Sequence, residues 1–213
     1  MKNLCQSLKK YIKNLPEFEH PWELFEFLNY EKIETDLQLR EVEGLEKAEV
    51  YCGKNVTIQP YTLFTGKVFL GDNVRIGPFC FIRGTTIVGD NSLIGPHAEI
   101  IRTVVNNNSN IAHKNILANT IVNNNVNLAA FCSVCNVSFV NEEIKIHLPN
   151  GEIHHYNKKY GAYIDSNVSM GALTMIMPGT YIKPDTKIIG QCIVHGNSKI
   201  KPMIESKLWL DYL

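Results

Sequence analysis

Residues 52–100 read CGKNVTIQPYTLFTGKVFLGDNVRIGPFCFIRGTTIVGDNSLIGPHAEI, and an apolar side chain recurs in them at every sixth position. The series is Cys52, Ile58, Phe64, Leu70, Ile76, Ile82, Val88, Ile94 and Ile100. Neither helical spacing nor a period of two yields such a run, but a strand of two or three residues followed by a tight corner does. The residue after each apolar one reads as the corner. It is glycine at Gly71, Gly77, Gly89 and Gly95, where a positive φ has little steric cost. Two residues before the apolar position stands a small or β-branched side chain (Val56, Val68, Val74, Cys80, Thr86, Ser92, Ala98), which suits a crowded interior.

The hexads start near Ala48 and run unbroken to Ile100. The frame then slips by one residue to Val105, Ile111 and Leu117, and slips again to Val122, Leu128 and Val134. After Asn136 the pattern stops for roughly 26 residues, with Glu142, Glu143, Lys145, His147, His154, His155, Lys158 and Lys159 in a polar excursion. It resumes at Ile164 and holds through Met170, Ile176, Ile182, Ile188, Val194 and Ile200. Three hexads to a turn make about seven coils, roughly 33 Å tall at ordinary strand spacing. Parallel strands with such short corners form a parallel β-helix, and an excursion is tolerated because each coil contacts only its neighbours. The excursion is expected to project as a loop or small hairpin.

Residues 1–47 differ: they are rich in Lys and Glu, nearly free of glycine, and carry Leu4, Leu8, Tyr11, Ile12 and Leu15 at helical spacing. A second helical segment is expected from His20-Pro21-Trp22, where proline suits the first turn. The division is then a helical cap (1–47) over the open end of the array, a β-helix (48–204) with an insertion at about 137–161, and a tail (205–213) containing Trp209 and Tyr212. The asparagines at 106–108 and 123–125 read as glycine substitutes at corners.

The chain has 213 residues, 45% hydrophobic content and zero net charge, so no global field favours nucleic acid or an anionic membrane. It shows no charged-then-apolar leader and no 18-residue apolar run, and a cytoplasmic protein is expected. The six cysteines are scattered, several at positions that want a small apolar residue. Cys132-Ser133-Val134-Cys135 is a CxxC without a second pair, a weak zinc or redox signal. His97 and His113 have no third histidine nearby on the prism, so no catalytic metal is expected.

Four stretches carry a resemblance: Ile76-Gly-Pro-Phe-Cys-Phe-Ile-Arg83, Ala112-His-Lys-Asn115, Asn125-Val-Asn127 and Lys159-Tyr-Gly-Ala-Tyr-Ile-Asp-Ser-Asn167. Over residues 50–200 the chain resembles the hexapeptide-repeat acyltransferases of left-handed β-helix fold. It is most similar to the acetyltransferase domain of bifunctional glucosamine-1-phosphate N-acetyltransferase/N-acetylglucosamine-1-phosphate uridylyltransferase and to archaeal sugar-1-phosphate nucleotidylyltransferases with such a tail. Trp22-Glu-Leu-Phe25 resembles the segment that precedes the β-helix in the archaeal proteins. No Gly-rich pyrophosphorylase loop is present, so nucleotidyl transfer is not expected.

The resemblance implies N-acetylation of an amino-sugar phosphate by acetyl-CoA in a homotrimer, with His113 as general base. It places Glu99 and Asn136 at polar catalytic positions and Arg83, Arg102, Asn127 and Lys159 on the substrate. It sets the coenzyme arm against Gly171, Ala172 and Gly190. A neutral imidazole, with a reference pKa of about 6.5, can take the amine proton at cytosolic pH, and arginine gives phosphate a forked donor. Stacking the hexads puts Arg83 and Arg102 on neighbouring coils, and Arg102, Asn119 and Asn136 in one corner column. His113 falls at a different corner, so the complete site is expected between subunits. Three positions depart from the family pattern: Ile116 replaces a tyrosine, Ala129-Ala130-Phe131 replaces Gly-Ala-Gly, and Ala172 replaces an oxyanion-supporting serine. These departures keep two other readings open: a non-catalytic β-helix partner of a separate nucleotidylyltransferase, and an acyltransferase with another sugar-nucleotide acceptor or a longer acyl group.

Overall fold

The computed structural model describes residues 7–30, 32–40, 48–139, 143–197 and 199–202. Within them the chain is a left-handed parallel β-helix with three flat faces. The first face stacks Ala48–Cys52, residues 68–70, Thr86–Val88, Val104–Val105, Ile121–Val122, Ala162–Ile164 and Thr180–Ile182. The second runs from Thr57–Ile58 through Asn110–Ile111 and Asn127–Leu128 to Lys187–Ile188, and is largely polar outward. The third holds residues 63–65, Phe81–Arg83, Glu99–Ile101, Ile116–Ala118, Ser133–Val134, Thr174–Ile176 and Cys192–His195. Each face stacks seven parallel strands, close to the coil count expected from the repeat, but the hexads end at Val194: Ile200 lies on Lys199–Pro202, which turns back antiparallel on Cys192–His195 and pairs Ile200 with Val194.

Register follows the hexads. Phe64 pairs with Ile82 and Ile82 with Ile100, an 18-residue coil. Ile87, Val104 and Ile121 are then 17 apart, so each frame slip shortens one coil by one residue. The apolar hexad residues from Phe64 to Val194 line one continuous buried core.

The corners correct one sequence expectation. Gly71, Gly77, Gly89 and Gly95 are not the residues with positive φ. That conformation falls two or three residues past the apolar position, in three columns: Asn55, Asn73, Asn91, Asn108, Asn125, Asn167 and Asp185 on the first–second edge; Tyr61, Phe79, His97, Lys114, Phe131, Leu173 and Gln191 on the second–third; Gly66, Gly84, Arg102, Asn119, Gly179 and Gly196 on the third–first. The glycines answer a different constraint, the approach of the next coil. A Cβ on Gly77 would lie 2.6 Å from Pro96 N, and one on Gly95 2.6 Å from Ala112 C. Of the asparagines at 106–108 and 123–125 only Asn108 and Asn125 take the left-handed corner, while Asn106 and Asn123 are buried; the corner amides of the first–second edge form a ladder, Asn55 to Asn73 at 3.1 Å and Asn73 to Asn91 at 3.0 Å.

The cap divides into two parts. Gln38–Arg40 pairs antiparallel with Ala48–Cys52 and closes the exposed edge of the first coil. The helical part lies along a face instead of over the end. Helix α1, Pro21–Tyr30, buries Trp22, Leu24, Phe25 and Leu28, and with Leu8, Tyr11, Ile12 and Leu15 it covers Phe69, Ile87, Val104 and Ile121 of the first face. Glu23 accepts the free His20 amide at 3.2 Å at its start. The first expected helix lies partly outside the described residues. So does the tail at 205–213.

The insertion forms an antiparallel hairpin, Ile144–His147 with Ile153–Tyr156. It packs down instead of projecting: Ile144, Ile146 and Leu148 join Tyr160, Tyr163 and Tyr181 on the same first face. Among the described residues no helix is long and apolar enough to cross a membrane. The first face is thus covered by the chain itself, while among the described residues Leu63 and Ile116 of the third are exposed.

Candidate functional site

Every corner leaves a backbone N–H that the solenoid ladder does not use, and its treatment differs between edges. On the first coils of the first–second edge a side chain of the next coil takes it: Lys54 N–H donates to Asp72 Oδ1 at 2.7 Å, and Asp72 N–H to Asp90 Oδ1 at 2.7 Å, while further up Asn124 and Ser166 N–H donate to the side chains of Asn123 and Asp165 just before them. On the second–third edge the equivalent positions are Pro60, Pro78, Pro96, His113, Ala130, Ala172 and Gly190. The prolines have no N–H to offer. From His113 onward the amides of His113, Ala130, Ala172 and Gly190 find no acceptor among the described residues. The neighbouring amides are engaged, with Lys114 N–H on Pro96 O at 2.9 Å, Leu173 N–H on Ala130 O at 3.1 Å and Gly171 N–H on Ile188 O at 2.7 Å. This column of outward donors is walled on one side by Phe131 and Leu173, both exposed.

His113 stands at the foot of the column, exposed, with its ring edge-on to Phe131 at 6.3 Å. Lys114 Nζ lies 5.2 Å from the Phe131 centroid. Below, Tyr61, Phe79 and His97 stack at 5.0 Å intervals along the same edge. Asn127 lies on the adjoining second face and accepts Asn110 Nδ2 at 2.8 Å. The sequence-derived group His113, Asn127, Gly171, Ala172 and Gly190 therefore shares one side of the prism.

The remaining candidates lie across the third face. Arg83 and Glu99 are on neighbouring coils of that face, and the guanidinium reaches Glu99 Oε1 through Nη2 at 3.1 Å and Nε at 3.3 Å, over the Phe81 ring at 5.6 Å. Arg102 is adjacent, its N–H on Arg83 O at 2.9 Å, but its stem runs over Gly84 on the third–first edge. Asn136 Nδ2 donates to Asn119 Oδ1 at 2.7 Å in the same column. The two arginines are thus backbone neighbours whose side chains have different surroundings.

Arg102, Asn119 and Lys159 line a cleft of about 510 Å³ with Phe25, Glu26 and Asn29 of α1, with Tyr156 at the end of the hairpin and with Lys158 just beyond it. Glu26 Oε1 accepts Lys158 Nζ at 2.8 Å and Tyr156 OH at 3.1 Å, and the Lys158 hydrogen bond holds the Glu26 carboxyl below its ordinary range. The α1 residues escaped sequence reading because Glu26 and Asn29 show only a polar helix flank, and where the helix docks is a tertiary fact.

Other candidates have structural occupations. Burial pushes the Cys132 and Cys135 thiols up. His154 stacks on Trp22 at 4.1 Å, and His155 meets Glu143 at 3.0 Å. Among the described residues no three potential metal-ligating side chains converge.

Fold and edges define a parallel β-solenoid with hexapeptide-type coils. The family profile of the GMPPB C-terminal domain matches residues 64–149. Among curated sequences no relative is detected. Solved structures similar to this chain include a hexapeptide transferase family protein from Anaplasma phagocytophilum, at 15% identity and a TM-score of 0.42 over 78% of this chain and 84% of that one. Another is a variant of AntD, an N-acyltransferase from Bacillus cereus, in complex with dTDP and coenzyme A, at 17% and 0.40 over 84% and 100%. A third is the polySia-specific acetyltransferase NeuO, at 19% and 0.32 over 77% and 82%.

Proposed function

We propose that this protein is an acetyl-CoA-dependent N-acetyltransferase acting on an amino-sugar phosphate such as glucosamine-1-phosphate, in a reducing, cytoplasmic setting. The observation that supports it most directly is the column of unused N–H donors ending at an exposed imidazole. The coenzyme arm is an extended chain bearing amide carbonyls, and donors at Gly190, Ala172 and Ala130 would hold it with the thioester beside His113. The amine nitrogen attacks the thioester carbonyl carbon, His113 takes the amine proton, and the thiolate leaves. The Ala130 amide replaces the donor that Ala172 lacks, since a backbone N–H can stabilise the oxyanion as a hydroxyl does.

Arg102 and Lys159 receive the acceptor phosphate. They lie across the third face from His113, with Asn136 on the same far side and Glu99 on the face itself, nearer the His113 edge, so one prism holds half of each function. A cyclic trimer that sets the His113 edge of one copy against the Arg102 edge of the next would complete the site, and the third face between the two edges is the surface it would use.

Thiol release from acetyl-CoA with glucosamine-1-phosphate tests the reading. Release should require the sugar and fall at least about a hundredfold in His113→Ala at matched folding and oligomeric state. No release with any of a panel of amino sugars would sink it and favour a docking module using the third face. Activity in a strictly monomeric sample would overturn the shared-site geometry alone.

A further inference from the structure

The cleft beside Arg102 has a wall that no coil supplies. Phe25, Glu26 and Asn29 come from α1, and Tyr156, Lys158 and Lys159 from the segment returning the insertion to the prism. Glu26 joins the two walls through Lys158 and Tyr156, and no hydrogen bond among the described residues engages its Oε2. Lys158 is neutralised by that contact at 2.8 Å. Arg102 and Lys159 enter no ion pair among the described residues, which leaves two positive charges facing about 510 Å³. Room for the arginine is built in: a Cβ on Gly84 would lie 2.5 Å from Arg102 Cγ.

We propose that α1 turns this cleft into a selective site for the dianionic phosphate ester of a ring sugar. Arg102 and Lys159 hold the phosphate, forked donor and point charge together. Phe25 and Tyr156 flank the ring, and Asn29 with Glu26 Oε2 hydrogen-bonds its hydroxyls. Glu26 is also a positioning residue, since through Lys158 it fixes the segment that presents Lys159. The volume falls in the usual range for small-molecule sites. The inference rests on the sugar-phosphate reading of the acceptor and adds to it that the N-terminal helix, outside the coils, sets which acceptor is taken.

Calorimetric titration of the full chain with glucosamine-1-phosphate, glucosamine and inorganic phosphate tests it. The sugar phosphate should bind most tightly, and Arg102→Ala should weaken both phosphate ligands at least about tenfold. Asn29 is exposed and alanine favours a helix, so Asn29→Ala should fold unchanged. It should weaken the sugar phosphate about fivefold while leaving inorganic phosphate alone. Glu26→Gln should weaken both phosphates at unchanged melting temperature, and its effect on inorganic phosphate, which has no hydroxyls of a ring to meet Glu26, should vanish in a Lys159→Ala background, as coupling through Lys159 requires. Sugar-phosphate affinity within twofold of the parent in both α1 variants would overturn the inference, as would equal affinity for inorganic phosphate. Thiol release separates the two readings: release that ignores the α1 variants removes this inference and keeps the transferase, while α1-dependent binding without release does the reverse.

Discussion

Leu173 shows how much the corners ask of single residues. It holds φ at 60° with 46% of its surface exposed, so it has neither the polar side chain that eases a left-handed backbone nor the burial that would offset one. Asn55, Asn73 and Asn91 meet the same demand with a laddered amide. Leu173→Asn should therefore raise unfolding stability by roughly 0.5–1 kcal/mol in urea titrations. A loss would show that the leucine packs on something, the adjoining donor column being the nearest surface. Gly95 sits at the opposite extreme, and Gly95→Ala should cost more than about 1 kcal/mol although alanine is the less flexible residue. Its Cβ would meet Ala112 backbone, which cannot turn aside as a side chain can.

At the level of elements, coils and appendages behave differently. Ile100 is fully buried between Ile82 and Leu117, so Ile100→Ala should cost about 2–5 kcal/mol. Trp22 belongs to a second core that exists only because α1 and the hairpin lie on one face, stacked against His20 at 4.4 Å and against His154 at 4.1 Å. Trp22→Ala should cost about 3–5 kcal/mol and release the helix and hairpin together, seen as matched loss of amide protection in both while core coils keep theirs. The coils were legible because a six-residue period imposes itself on every turn, including both slips and the restart at Ile164. The glycines at Gly77 and Gly95 were noticed and assigned the wrong cause, since sequence marks a missing Cβ without saying whether φ or a neighbour excludes it. The docking of α1 left no periodic trace, so Glu26 and Asn29 stayed unread, while His113 was visible from its resemblance but not the unused amides above it, which depend on which coil carries proline.

For the whole molecule, the joint between the helical segment and the prism is sensitive to alkali. Tyr11 is fully buried there, donating to Asn107 Oδ1 at 2.8 Å and accepting Asp90 N–H at 3.0 Å. Tyr160, equally buried, packs its ring edge against Phe25 at 6.0 Å. Burial raises both phenols well above their ordinary range, and it raises Tyr181 too, where Asp165 adds to the effect. A phenol raised in the folded state stabilises the fold fully below the unfolded value of about 10, and that contribution is lost as pH climbs toward the folded value. Above pH 10 each of Tyr11 and Tyr160 should therefore remove up to about 1.4 kcal/mol per pH unit. Tyr11 and Tyr160 should ionise only in a cooperative step that coincides with loss of the β-sheet signal, because the anion cannot form until the first face is uncovered. Tyrosinate absorbance and circular dichroism followed on one sample give both curves. Ionisation of Tyr11 and Tyr160 in a gradual step near pH 10, with the sheet intact, would mean that the helical segment leaves the prism without resistance. The cleft that depends on α1 would then have no fixed wall.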